Sequence, residues 1–260
     1  MACRSDQSLV RFRDKFMPAN PHDQNHVGVQ FRNLILSALS EPCLSKLAPH
    51  LQSMELPQGS VLVQTDRPNQ WIYFLEHGMC SMTSLNAAGT PVEVGIIGRE
   101  GIVGVHSLLG QPKTQMRLIM QGAGAGLRVR ADAMRSLLDE FDELLLPLHT
   151  FLYVLLEQTT QLILCNRLHS LESRLARWLL MTSDFMETSA LRLTQEYLAE
   201  MLGVGRPAVT IAAGVLQRAG IIVYSRGFIE IVDRSLLRQG SCECYAIIQG
   251  TYSRVYPSLF

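Results

Sequence analysis

The sequence predicts an α+β chain: an N-terminal antiparallel β-roll of the jelly-roll kind, a long dimerisation helix, and a C-terminal winged helix-turn-helix. Three observations carry this reading. Short strand-like runs crowd residues 60–131 between turn residues. Leu145, Leu148, Leu152, Leu155, Thr159, Leu162 and Asn166 then recur at alternating steps of three and four residues. Finally, "LTQEYLAEMLGVGRPAVTIAAGVLQRAG" (193–220) breaks a helical pattern once, at Leu-Gly-Val-Gly, and restarts it with Arg-Pro.

Residues 1–28 contain Pro18, Asn20, Pro21 and Gly28 without periodicity and are expected to form a flexible arm. Either Met1 or Met17 is compatible with the start. Order begins in "NLILSALSEPCLSKLAPHLQSMELPQG", where Leu36, Leu39, Leu44, Leu47 and Leu51 recur at helical spacing. The runs "SVLVQTD", "QWIYFLEHG", "MCSMTSLN" and "TPVEVGII" read as strands separated at Pro68-Asn69, His77-Gly78 and Ala88-Gly89. "QMRLIMQG" and "GLRVRA" add two more, with "GAGAG" at 122–126 read as the turn between them. Together, residues 29–138 form the expected roll.

The long helix is assigned to 139–168. Its seven-residue seam has coiled-coil spacing, and polar Thr159 and Asn166 within it would fix register in a dimer. The alternative is an apolar face packed on its own domain. Leu144, Phe151 and Ile163 flank the seam and offer an alternative face toward the roll.

Residues 169–240 form the expected winged unit. "SLESRLARWLLMTSDF" opens it as a helix with Leu171, Leu175, Trp178 and Leu179 inward. Thr194 caps the next helix, with Gln195 and Glu196 in its first turn. Gly203 supplies a left-handed residue, Gly205 caps the second helix, and Pro207 is tolerated in its first turn. Val209, Ala212, Ala213 and Leu216 face inward, which leaves Arg206, Pro207, Thr210, Ile211 and Gly214 outward. A recognition helix presents its reading side chains from its N-terminal turns in this manner. Arg206 suits guanine O6 and N7, Thr210 a base or phosphate, and Arg226, at the tip of the following hairpin, a phosphate. The expected partner is double-stranded DNA. The tail, 241–260, carries no assignable pattern.

Composition adds exclusions. The net charge is zero, which argues against a general polyanion binder but not against a local patch. No run of about twenty apolar residues occurs and no secretory leader is visible, so no membrane partner and a cytoplasmic location are expected. The six cysteines do not form a disulfide framework, and Cys242-x-Cys244 is followed by no second pair at ligand spacing, so no metal is predicted. No catalytic motif occurs, which opposes an enzyme.

From "GREGIVGVHSLLG", the preceding "AAGTPVEVGII" and "LTQEYLAEMLGVGRPAVTIAAGVLQRAGII", residues 30–240 resemble the Crp–Fnr family of bacterial transcription regulators. The resemblance implies a homodimer on an inverted-repeat operator, with half-sites about 34 Å apart, and contact with RNA polymerase. Family members that bind a cyclic nucleotide carry a Gly-Glu pair for the ribose and an Arg-Ser or Arg-Thr pair for the phosphate. Here those positions read Gly104-Val105 and Thr114-Gln115, with Arg117 displaced. A cyclic nucleotide is therefore not expected. The alternatives are a cyclic-AMP-responsive regulator using Arg117 in a shifted cassette, or a cyclic-nucleotide module that does not bind DNA. An iron–sulfur cluster is opposed by a lone Cys3 in the arm, and haem on His77 or His106 has no further support. No cofactor is predicted, and an unknown small-molecule effector stays open. The helix start also departs from the best-known members: Pro207 stands at an acidic position and Ile211 at a basic one, so the preferred site should differ from theirs.

Overall fold

The computed structural model describes residues 31–87, 89–257 and 259; the arm expected over 1–28 lies outside them. Two short helices, α1 (Leu34–Ser37) and α2 (Glu41–Leu47), lead into strands β1 (Gln52–Leu56), β2 (Val61–Val63), β3 (Trp71–Leu85), β4 (Pro91–Ile97), β5 (Ile102–Val103) and β6 (Met116–Arg130). These form one six-stranded antiparallel sheet in the order β1-β6-β3-β4, with β2 on β6 and β5 on β3. Helix α3 (Ala131–Glu140) follows, then α4 (Leu145–Leu168). The C-terminal unit comprises α5 (Leu171–Met186), β7 (Ala190–Arg192), α6 (Gln195–Leu202), α7 (Arg206–Arg218), β8 (Ile222–Ser225), β9 (Phe228–Ile231), α8 (Arg234–Gly240) and α9 (Cys244–Val255).

Two expectations about the strands are corrected. His77-Gly78 does not separate two strands; β3 runs through it, with its register against β6 shifting between Leu75 and Cys80. Nor is 122–126 a turn, since it lies inside β6. The small residues serve a close approach of two irregular strands. A Cβ on Gly124 would sit 2.1 Å from the His77 carbonyl oxygen, so only glycine fits there.

The long helix is corrected at its start and in its facing. It begins at Leu145, after a 3-10 turn over Asp142–Leu144, rather than at 139. Within the expected seam, Leu148 and Leu162 are buried in the chain's own core, and Leu152, Leu155 and Thr159 are half-buried; Leu145 and Asn166 are exposed. Leu144 and Phe151 pack in the roll core, whereas Ile163 is exposed. The polar residues explain the facing. Strand β4 ends the sheet, so its outer edge lacks a strand partner. Gln158 supplies one: its Oε1 accepts from the Ile96 N–H at 2.5 Å, and its Nε2 donates to the Ile96 carbonyl at 3.2 Å and to Tyr252 Oη at 2.6 Å. Thr159 Oγ1 donates to the Val94 carbonyl at 3.0 Å. Thr159 therefore completes the hydrogen bonding of an edge strand inside one chain.

Helix α4 contributes to two cores. Leu148 and Phe151, with Leu144 just before the helix, join the roll interior, while Val154 and Leu162 join the winged unit's core, which also includes Met79 and Ile96 from the sheet. Trp178 of α5 is fully buried there, and its Nε1 donates to Glu93 Oε1 at 2.9 Å; Ser81 Oγ donates to the other oxygen at 2.5 Å. The tail is not patternless in three dimensions: α9 lies along α4, with Tyr252 buried at Gln158.

Burial pushes the Glu93 carboxyl up to about 7, against the opposing pull of Ser81, Arg177 and Trp178. Between the ordinary glutamate value of 4.5 and that value the folded chain holds a proton that the unfolded chain releases. Stability must then fall as pH rises through this window, by up to about 3 kcal/mol for one group, and level off above it. Glu100, raised by burial in the same way to about 7, contributes a second such fall. Urea unfolding followed by tryptophan fluorescence from pH 4.5 to 8 should show this decline, and Glu93→Gln should reduce its slope and exceed the wild type in stability at pH 8. Parallel curves for the two proteins would contradict the assignment.

Candidate nucleic-acid interface

Helix α6 starts where local chemistry allows. Thr194 is in extended backbone, and its hydroxyl accepts from the Tyr197 N–H at 3.2 Å. Leu198, Ala199, Met201 and Leu202 face the core. Gly203, at φ 64°, ends the helix in the left-handed region, and its N–H returns to the carbonyls of Ala199 and Glu200. The chain then turns so that α6 and α7 lie at 103°. Gly205 precedes α7 in extended backbone and Pro207 occupies its first turn, where a missing N–H costs nothing.

Val209, Ala212, Ala213 and Leu216 are buried beneath α7. On its other face Arg206, Pro207, Thr210 and Ile211 are exposed, Ile211 at 65%. Strands β8 and β9 form a hairpin closed by Arg226 (φ 49°) and Gly227 (φ 80°), the two-residue turn with both φ positive. Strand β7 adds to β9 as a third strand, which periodicity did not reveal because it is three residues long. No single helix of the described residues is long and apolar enough to cross a membrane; α6 and α7 pass such a test only as a pair and only by composition.

Thr194, Gln195, Arg206 and Arg226 come together around one surface concavity of about 360 Å³, with Glu196, Tyr224 and Gly227 completing its wall. Gln195 Oε1 accepts from Thr210 Oγ1 at 2.9 Å and from Arg206 Nε at 3.3 Å. Glu196 Oε1 pairs with Arg206 Nη1 at 2.8 Å. Both partners are largely exposed, so the pair is weak and exchangeable. Pro207 and Ile211 extend this surface along α7, and Gly205 sits in the turn behind Arg206. Sequence reasoning missed Glu196 as a partner of Arg206, and missed Tyr224, whose hydroxyl donates to the Leu193 carbonyl at 3.1 Å. The i to i+10 separation of Glu196 and Arg206 spans the turn, so no helical spacing marks them.

The expected effector residues fall in two segments, one after β5 and one at the start of β6. Gly104 (φ 95°) and Val105 enter a 3-10 turn after β5. Thr114 and Gln115 lie just before β6, and Arg117 is in that strand opposite Thr83. The loop at 64–70 links both segments: the Asp66 N–H donates to the Thr114 carbonyl at 2.8 Å, the Asn69 N–H to the Pro112 carbonyl at 2.8 Å, and the Asn69 side chain to Ser107 Oγ at 3.1 Å. Arg117 Nε is buried with no hydrogen-bond partner among the described residues. His106 is buried as well, and desolvation lowers its affinity for a proton; His77 is exposed.

Residues 173–239 match the model of the Crp-like helix-turn-helix domain, and residues 53–141 match that of the cyclic nucleotide-binding domain. The chain belongs to the Crp–Fnr family. Solved structures with this fold include a Crp/Fnr-family protein from Eubacterium rectale (TM-score 0.65, 16% identity, covering 77% of this chain and 94% of that one). They also include the c-di-GMP-responsive global regulator CLP from Xanthomonas campestris (0.63, 16%, 74% and 99%). FixK2 from Bradyrhizobium japonicum is a third (0.62, 14%, 74% and 98%). No curated protein matches by sequence. As a Crp–Fnr protein, the chain is a DNA-binding transcription regulator, and the concavity at Arg206 lies within its helix-turn-helix domain.

Gly203 is the backbone hinge of this Crp–Fnr helix pair. Gly203→Ala places a Cβ in the left-handed region, at about 1–2 kcal/mol, and 3.1 Å from Val92 Cγ2. Denaturant unfolding should register a loss of at least about 1 kcal/mol. Gly214→Ala, in the interior of α7 and facing only the mobile tip of Arg218, should be neutral or stabilising. Equal stability of Gly203→Ala and wild type would contradict the hinge role.

Proposed function

We propose that this regulator binds an inverted-repeat operator as a homodimer, with α7 entering the major groove by its N-terminal turn. The observation that carries the reading is the convergence of Thr194, Gln195, Arg206 and Arg226 on one concave, exposed surface. Arg206 exchanges Glu196 for guanine O6 and N7, since a bidentate base contact outweighs an exposed ion pair. Thr210 turns from Gln195 to a base or phosphate, and Ile211 meets a thymine methyl. Arg226 and the Thr194–Gln195 helix start hold the phosphate backbone. Contact with RNA polymerase follows from family resemblance.

The dimer forms along the outer face of α4. Leu146, Tyr153, Leu156 and Ile163 are exposed there at 73%, 45%, 64% and 67%, and with His149 and Thr160 they continue the alternating three–four spacing. This stripe replaces the sequence-assigned seam, most of which is occupied within the chain. Exposed apolar residues aligned over five turns mark a face that pairs with another.

The roll is proposed not to respond to a cyclic nucleotide. Val105 offers no ribose acceptor, and Thr114-Gln115 offers no guanidinium fork. A second reading has one observation in its favour: the buried, unpartnered Arg117 Nε is a donor to which an anionic phosphate would bond. Selection of bound sequences from a random duplex library, with and without cyclic AMP, separates the two. Enrichment of the same inverted repeat in both conditions is expected, with Arg206→Ala losing at least about tenfold in affinity, the scale of one bidentate base contact. Enrichment only with the nucleotide would favour the Arg117 reading. No enrichment in either condition would contradict the proposal.

A further inference from the structure

Four donor side chains meet where α4 hands over to α5, and the DNA-binding reading uses none of them. Cys165 and His169 stand one helical turn apart at the C-terminal end of α4; Cys242 and Cys244 flank the start of α9. Their donor atoms all lie within 4.8 Å of one another. Cys165 Sγ is 3.5 Å from Cys242 Sγ, and Cys244 Sγ is 3.4 Å from His169 Nδ1. The first distance is far beyond a disulfide bond. Both lie within about 0.3 Å of the edges of a tetrahedron, about 3.5 Å for sulfur–nitrogen and about 3.8 Å for sulfur–sulfur, that follow from zinc–sulfur and zinc–nitrogen bonds of about 2.3 and 2.0 Å. The expectation of no metal rested on the lack of a ligand pair after Cys244. The pair lies instead 77 residues before Cys242, brought in by the packing of α9 on α4.

We propose that Cys165, His169, Cys242 and Cys244 hold one zinc ion in a closed, structural Cys₃His site that pins the C-terminal helix to the junction of α4 and α5. The surroundings match this use. His169 Nε2 lies 3.1 Å from Glu243 Oε1, so the outer nitrogen donates to a carboxylate and Nδ1 keeps its lone pair for the metal. Gln161 Nε2 donates to Cys244 Sγ at 3.1 Å. Three thiolates and one divalent cation leave a net negative charge. The cationic Arg174 and Arg177 act on this cluster from α5, and each has a buried Nε without a hydrogen-bond partner among the described residues. The three cysteines are buried, and His169 is largely so. Four protein ligands leave no open position, which makes the site structural rather than catalytic. On binding, each thiol that enters as thiolate gives its proton to solvent.

The zinc content of the full chain, purified under reduction and without chelator, tests this. One zinc per chain is expected. Cys242→Ser with Cys244→Ser should lower it at least tenfold, while Cys43→Ser, a buried cysteine in the roll, should keep it. Because the double variant can lose its fold, the wild type provides a second measurement. Cobalt(II) added to the reduced, zinc-free chain should give the visible bands of tetrahedral cobalt and a thiolate charge-transfer band at one equivalent, and His169→Ala should change the visible pattern. A reduced wild-type chain without stoichiometric zinc and without the cobalt spectrum would overturn the proposal. So would a Cys165–Cys242 disulfide that, once reduced, takes up neither metal. DNA binding does not enter either readout, so failure here leaves the operator reading standing, and the reverse holds.

Discussion

The open edge of β4 is the constraint on which the arrangement depends. A strand edge buried without partners forfeits the full hydration of its N–H and carbonyl groups. Gln158 closes the gap at Ile96 with one amide that both accepts and donates, and Thr159 does so at Val94. These bonds have direction, so they fix the rotation of α4 about its axis as apolar contacts alone would not. Rotation in turn decides which leucines enter the cores and which line the outer face. It also directs the third hydrogen bond of Gln158 to Tyr252, which seats the C-terminal helix.

The same strand meets the chain again beyond the junction of α4 and α5. Glu93 accepts from Trp178 of α5, and the Gly203 turn of the helix-turn-helix packs on Val92. Gln58 adds a bond to the Arg192 carbonyl at 2.9 Å, and Tyr197 bonds to Gln121. The roll and the DNA-binding unit thus share a partly buried polar contact to which β4 contributes its buried member, Glu93. Buried polar contacts are costly to leave half-made, so this contact favours one registered arrangement of the two units over a sliding one.

The helix-turn-helix was legible in the sequence because its determinants are local. A cap at Thr194, a left-handed glycine at 203, a proline in the first turn of α7 and an alternation of small and apolar residues all act within a few positions. The strands were less so. Gly78 and "GAGAG" look like turns to a local reading, and only the approach of β3 to β6 shows why glycine stands there. Part of the assigned seam is buried within the chain for a physical reason. Helix α4 carries apolar residues on two faces, and a three–four periodicity runs along each of them; spacing alone does not say which face meets the chain's own roll. The Cys165, His169, Cys242 and Cys244 cluster was invisible because it depends on a contact across 77 residues.

The central claim is that α4 uses its Gln158 face within the chain and its Leu156 face between chains. Cysteine cross-linking measures this directly, since the native cysteines among the described residues are buried. In a two-fold dimer with parallel helices, residue 156 meets its own copy. Leu156→Cys should form a disulfide-linked dimer under mild oxidation, whereas Leu148→Cys, which lies in the roll core, and the wild type should not. A cross-link at 148, or a Leu156→Cys protein that stays monomeric, would contradict the account.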